Sequence, residues 1–209
     1  MKKQSQSLKI IILMFTLMST LSIVNAQQLI NVGVQSHFFH RFAIHQYNSN
    51  WCWAASLQMI FNYYGININQ QQIVARTYGV SPTGELPDWA GSVEAITANL
   101  NNWSIDASGR RYTVNALYQP GAPNPTFLIN ELSYGRPVLV GYRTGGSTGH
   151  AVVITACSFY NTPNGPYIQS IVVRDPYATP QTIQTSGRIE YNAAVLANNI
   201  NSHWFITIR

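Results

Sequence analysis

Between residues 52 and 64 apolar and small side chains recur at three- and four-residue steps. Trp53, Leu57, Ile60 and Tyr64 fall on one stripe and Cys52, Ala55, Ser56 and Met59 on a second. That double pattern predicts a helix over Cys52 to Tyr64, buried on most of its sides. Helical spacing returns over Asn69 to Tyr78, Ser92 to Leu100 and Thr126 to Tyr134. Beyond about residue 135 the period changes. "RPVLVGYR", "HAVVITACSFY", "YIQSIVVRDPY" and "HWFITIR" are rich in β-branched and aromatic residues and bounded by Gly, Pro or Asn, so each predicts a strand. A helical half followed by an antiparallel-strand half predicts an α+β fold with segregated layers. No internal repeat, heptad or long linker marks a second domain.

The turns place particular residues at strand ends. "TGGSTG" at 144–149 supplies glycines that accept positive φ, and His150 is the first residue out of it. "TPNGP" at 162–166 serves the next pair of strands. Asp175 closes its strand ahead of Pro176, which has no N–H to give to a ladder.

The first 26 residues stand apart. Lys2, Lys3 and Lys9 precede or open an apolar run that ends in Val24-Asn25-Ala26, as in a secretory signal cleaved after Ala26. Thr16, Ser19, Thr20 and Ser22 interrupt the run and make it a poor spanning helix. The expected mature domain is therefore residues 27–209, secreted or periplasmic, with no stable membrane association once the signal is removed. All three lysines lie in that segment. The mature chain keeps nine arginines against seven acidic residues, a net charge of only +2, so no nucleic-acid partner is inferred. Its polarity comes from amides and hydroxyls, alongside enough aliphatic and aromatic residues for a folded exported protein.

Four residues are candidates for chemistry. A helix beginning at Cys52 directs unpaired backbone N–H groups and its positive dipole end at the thiol. Thiols so placed titrate below their free value of about 8.5 and become nucleophiles. His150, an ionisable ring heading the apolar "AVVIT", can take the thiol proton and return it to a leaving group if its strand packs on that helix. Asp175, one strand further on, can hold the imidazole's tautomer and orientation. Gln46, six residues before Cys52, can join the Cys52 backbone N–H in stabilising an oxyanion. Packing alone is the alternative account of Cys52 between Trp51 and Trp53, and a strand-ending Asp-Pro turn is that of Asp175.

Cys157 lies an odd seven residues beyond His150, so strict alternation sends it to the opposite face as a buried structural thiol. A Cys52–Cys157 disulfide, the default for a pair in an oxidising compartment, is the less favoured expectation. His37, His40 and His45 lack a ligand rhythm and a nearby carboxylate, so neither a metal nor any other cofactor is expected. Asp88, Trp89 and Trp103 are read as packing residues rather than cleft walls.

The order Gln46, Cys52, His150, Asp175, with "CWAAS" opening an aromatic helix that ends at Gly65, resembles the papain-like cysteine peptidases. "CWAA" is most similar to secreted effector proteases of plant-pathogenic bacteria. "GRPVLVGYR…GHAVVI…IVVRDP" is similar to the bacteriocin-leader-processing peptidases. The resemblance covers roughly residues 40–180. It implies a two-lobed fold, with an N-terminal helical lobe carrying the Cys helix and a C-terminal antiparallel sheet lobe. It also implies a nucleophile at Cys52, a general base and acid at His150, an orienting carboxylate at Asp175 and an oxyanion donor at Gln46. The expected activity is hydrolysis of peptide bonds in a protein or peptide substrate through a thioester acyl-enzyme. The same residues would serve an acyltransferase or glutamine deamidase, and a catalytically silent peptide-binding module or a disulfide-linked structural protein are further alternatives. The 25 residues between Ala26 and Cys52 are expected to be too few for a long inhibitory propeptide. A stand-alone bacterial enzyme is expected, without the ATP-binding and membrane-spanning domains of transporters that carry leader peptidases.

Overall fold

In the computed structural model, which describes residues 27–145 and 149–209, strand β1 (Ile30–Gly33) and the single turn α1 (Ser36–Phe39) precede the long buried helix α2 (Cys52–Tyr63). Next come α3 (Gln70–Tyr78), α4 (Val93–Asn102), β2 (Val114–Pro120), α5 (Pro125–Ser133), β3 (Val138–Arg143), β4 (Gly149–Thr162) and β5 (Gly165–Arg174). The chain ends with α6 (Pro180–Thr185), β6 (Arg188–Asn192), α7 (Ala193–Ala197) and β7 (Ile200–Ile208). The expected signal, residues 1–26, and residues 146–148 of the glycine turn lie outside the described residues.

Helix starts follow side-chain capping. Asn69 accepts the Gln72 N–H while the Gln72 side chain accepts the Asn69 N–H, a reciprocal box that opens α3. Ser92 caps α4, and Asn124 caps α5 ahead of Pro125. Helix α2, like the single turn α1, lacks such a cap: Trp51 stands at its N-cap and no side chain caps its first amides.

The strands form one antiparallel sheet of seven, in the order β2-β7-β3-β4-β5-β6, with β1 on β4. Strand β4 is long enough to serve two partners along one edge. Its first half pairs with β3 as far as Ile154, and β1 takes over from Ala156 to Phe159. On one face α2, α3 and α4 bury Trp53, Leu57, Ile60 and Ile73 against Leu139, Ala151, Val153 and Trp204. On the other, α5 and α7 bury Leu128, Leu132 and Leu196 against Val140, Val152, Ile154 and Val173.

Helical and extended segments are less segregated than the sequence suggests. Strand β2 arises within the helical half and completes the sheet edge beside β7, while α5 covers the face opposite the other long helices. Neither decision is local, because each rests on partners far along the chain.

Alternation along β4 also fails at one point. Ala151 and Val153 belong to the first core and Val152 and Ile154 to the second, so an unbroken period would put residue 157 with the first. A β-bulge at Thr155, where the ladder to β5 slips between Ile154 and Ala156, returns Cys157 to the second core. Cys52 lies in the first core and both thiols are free and buried. The separation of the cysteines thus comes from the bulge and not from the seven-residue spacing.

Candidate active site

The segment before α2 is pinned by polar groups of two tryptophans and an asparagine. Trp51 Nε1 donates to the Pro87 carbonyl (3.0 Å) and Trp53 Nε1 to the Trp89 carbonyl (3.1 Å). Asn50 meets Asp88 twice, through its N–H to Oδ1 (2.8 Å) and its amide to the backbone carbonyl (3.0 Å). Gly91 lies flat on the Trp53 ring, where a Cβ would come within 2.4 Å. These contacts fix the first turn of α2, so that Cys52, 8% exposed, sits at a helix start whose amides have no side-chain cap. One turn later Ser56 Oγ donates to the Ala151 carbonyl (3.0 Å), which ties the helix to β4 beside His150.

His150 bridges two groups. Its Nε2 lies 2.7 Å from Asp175 Oδ1, which also accepts the Tyr177 N–H at 2.8 Å. With Nε2 engaged, Nδ1 is the nitrogen left for Cys52, with which His150 also shares a hydrogen bond. Burial by itself pulls the imidazole pKa down. The hydrogen bonds to Asp175 and Cys52 and their charges outweigh it and raise the pKa from 6.5 to about 9. The Tyr142 ring stands edge-on to His150 at 5.6 Å between centroids, and Tyr177 at 6.5 Å, so the imidazole plane is held on two sides. The Tyr142 phenol is itself pushed up, first by burial and then by Tyr191, Asp175 and Cys52.

A cavity of about 380 Å³ opens over this group, lined by Gln46, Cys52, Tyr142, His150, Asp175 and Tyr177 among others. A second of about 180 Å³ shares Cys52, Tyr142 and His150 and runs toward Trp53, Gly141 and Trp204. The thiol therefore stands between two depressions.

All four candidate residues thus line one cavity. Gln46 faces it differently from the other three. Its Nε2 donates to the Asn48 (3.0 Å) and Ser49 (2.8 Å) carbonyls, while Oε1 is buried without a partner. Exchanging the amide's oxygen and nitrogen would set oxygen against two carbonyls, so the hydrogen-bond network supports this orientation. Its backbone N–H meets the Pro176 carbonyl (2.9 Å), joining the loop before the thiol to the loop after Asp175.

Tyr142 and Tyr177 are the site residues that sequence reasoning missed. A signal for Tyr142 exists: pairing Arg143 with Gly149 across the glycine turn puts Tyr142 opposite His150, as the register shows. Tyr177 carried no such signal. Of the other histidines, His40 bonds Ser186 Oγ (3.1 Å), His45 Nδ1 lies 3.4 Å from the Pro176 carbonyl, and His37 is exposed. Among the described residues no three His, Cys, Asp or Glu side chains cluster as metal ligands. Asp88 anchors the helix start, Trp89 packs on Tyr78 while largely exposed, and Trp103 lies against the Arg76 guanidinium.

A thiol at an uncapped helix start, paired with an imidazole near the start of a strand, is the constellation of a cysteine peptidase of the papain-like class. The Peptidase C39-like family model matches residues 34–203, and the chain belongs to that family. The chain is also similar to a crystal structure of a double glycine motif protease from an AMS/PCAT transporter in complex with the leader peptide. The identity is 17% and the TM-score 0.46, over 78% of this chain and 89% of that one. No curated protein matches the sequence.

Proposed function

We propose that the protein is an exported peptidase that cleaves peptide bonds with Cys52 as nucleophile, His150 as general base and acid, and Asp175 as the orienting carboxylate. The observation that carries this is the imidazole shared between Asp175 and Cys52 at the foot of the cavity. Cys52 Sγ attacks the scissile carbonyl carbon, with its proton on His150 Nδ1. The oxyanion that forms faces the uncapped amides of α2, the Cys52 N–H among them. His150 then protonates the leaving amine as the C–N bond breaks, leaving a thioester. Water, deprotonated by His150, attacks the thioester and releases the carboxylic acid and the thiol. For Gln46 to donate to the oxyanion, one of its two backbone hydrogen bonds opens as substrate enters. Residues 1–26 act as the export signal and the working domain is 27–209.

The test is alkylation by iodoacetamide beside peptide hydrolysis, in the mature protein and in Cys52→Ala, His150→Ala and Cys157→Ala. Labelling and hydrolysis are expected to vanish in Cys52→Ala and persist in Cys157→Ala, with products bearing free carboxylates. Labelling at Cys157, or turnover surviving loss of Cys52, would overturn the assignment. N-terminal sequencing of exported protein is expected to begin at Gln27.

A further inference from the structure

We propose that Arg174 is a positioning residue for Asp175, acting through the backbone of the turn at residues 185–187. This rests on the triad proposed above and concerns what holds its third member in place.

Arg174 and Asp175 are consecutive at the end of β5, so their side chains leave the strand on opposite faces. Asp175 meets His150, whereas Arg174, paired across the ladder with Val153 of the first core, runs beneath the sheet. Only 1% of it is exposed. Its Nη1 donates to the Thr185 (3.1 Å) and Ser186 (3.0 Å) carbonyls and its Nη2 to the Ser36 carbonyl and hydroxyl (both 2.8 Å). The guanidinium stands 5.7 Å from the centre of the Phe39 ring. Among the described residues no carboxylate forms an ion pair with it, and its cross-strand neighbour is another cation, Arg188. Burying a cation on such terms is costly, and an apolar side chain would fill the space. What only a guanidinium provides is a rigid fork that holds three carbonyls from two segments at once.

Those carbonyls lead to Asp175. Ser186, with φ of 51°, is the non-glycine residue with positive φ among those described, and Gly187 follows at 74°. Gly187 accepts the Asp175 N–H (2.8 Å) and donates to Thr182 (2.7 Å). A Cβ on Gly187 would lie 2.4 Å from the Asp175 carbonyl oxygen, so the turn and the Asp175 backbone are in contact with no slack. At its other end Arg174 fixes Ser36, at the start of the segment that reaches Gln46 and its bond to Pro176. Asp175 is thus braced from behind by the turn, which Arg174 holds directly, and from in front by the Gln46 backbone bond to Pro176. The groups facing His150 itself are Asp175, Cys52, Tyr142 and Tyr177.

The experiment compares Arg174→Lys and Gly187→Ala with wild type and Asp175→Asn in the full mature chain, recording kcat, KM, the pH profile of kcat/KM and Tm. Arg174→Lys keeps the charge and loses the fork; Gly187→Ala keeps Arg174 and displaces the turn. Both are expected to lower kcat on the order of 10- to 10²-fold with KM little changed. Both should also move the alkaline limb of the profile downward, as Asp175→Asn does. A fall in Tm with kcat per folded molecule and the alkaline limb unchanged would show that Arg174 is structural only. Should Arg174→Lys fail to fold, Gly187→Ala decides by the same two readouts. If Asp175→Asn itself leaves the profile in place, the triad is wrong and the role of Arg174 falls with it.

Discussion

Replacing Asp175 by Asn keeps an oxygen for the Tyr177 N–H and for His150 but removes the negative charge at 2.7 Å from Nε2. In the intact site the imidazole pKa stands at about 9 instead of 6.5, against a burial penalty that acts the other way. At about 1.4 kcal/mol per unit, the partners together favour the imidazolium by about 3 kcal/mol net of that penalty. Asp175 provides the first of the hydrogen bonds that raise the pKa and, with Cys52, part of the charge effect. In Asp175→Asn the alkaline limb of kcat/KM should therefore fall from near 9 toward the ordinary imidazole range, and kcat should drop by about 10²-fold as the imidazole loses its orientation. Stability has a matching signature. A folded-state pKa above the unfolded value stabilises the protein fully below about 6.5 and loses that contribution as pH rises through about 9. The difference in unfolding free energy between wild type and variant should be largest in mildly acidic solution and shrink above pH 9. Assays are pH-resolved hydrolysis of a peptide and chemical denaturation at matched pH. An alkaline limb that stays near 9 in Asp175→Asn would show that Asp175 does not hold the imidazole pKa up.

Other expected outcomes bear on residues around the site and in the core. Gln46→Ala should lower kcat by about 10²-fold with KM nearly constant, as loss of one oxyanion donor does; a rise in KM alone, in steady-state hydrolysis, would make Gln46 a loop support. Cys157→Ala should leave turnover intact and cost about 1 kcal/mol in urea unfolding, since the thiol is 2% exposed and burial pushes its pKa to about 12. His203 donates through Nδ1 to the Gly121 carbonyl (2.8 Å) while Nε2 is buried without a partner, and burial lowers its pKa despite that bond. Its folded pKa lies below the unfolded one, so stability is complete above about 6.5 and declines as pH falls below it. His203→Asn, which keeps a donor for Gly121 without titrating, should flatten the acid side of the stability profile; equal acid sensitivity in the two proteins would count against the assignment.

Local signals made much of the site readable. The double stripe from Cys52 to Tyr64 predicts a helix buried on most sides, and residues 52–61 are all buried. Glycines before His150 and the proline after Asp175 marked two strand ends, and the register brings those ends together. Such features are legible because helix period, turn chemistry and the end of a ladder depend on residues within a few positions of one another. Local patterning thus marks which side chains with reactive groups stand at element ends.

The remaining features depend on partners far along the chain, which only packing brings into contact. Strand β2 is extended because β7 offers its edge, although its segment lies among helices. The slip at Thr155, where β1 and β5 both reach β4, sends Cys157 away from the thiol of Cys52. The N–H groups of Trp51 and Trp53 hold carbonyls 36 residues away and so set where α2 begins, partners that the local pattern does not name. Arg174 carries no local signal of its role and lies buried, bound to carbonyls of two segments. Hydrophobic period carries no information about where a buried N–H or guanidinium finds its acceptor, because that acceptor comes into reach only when distant segments have packed.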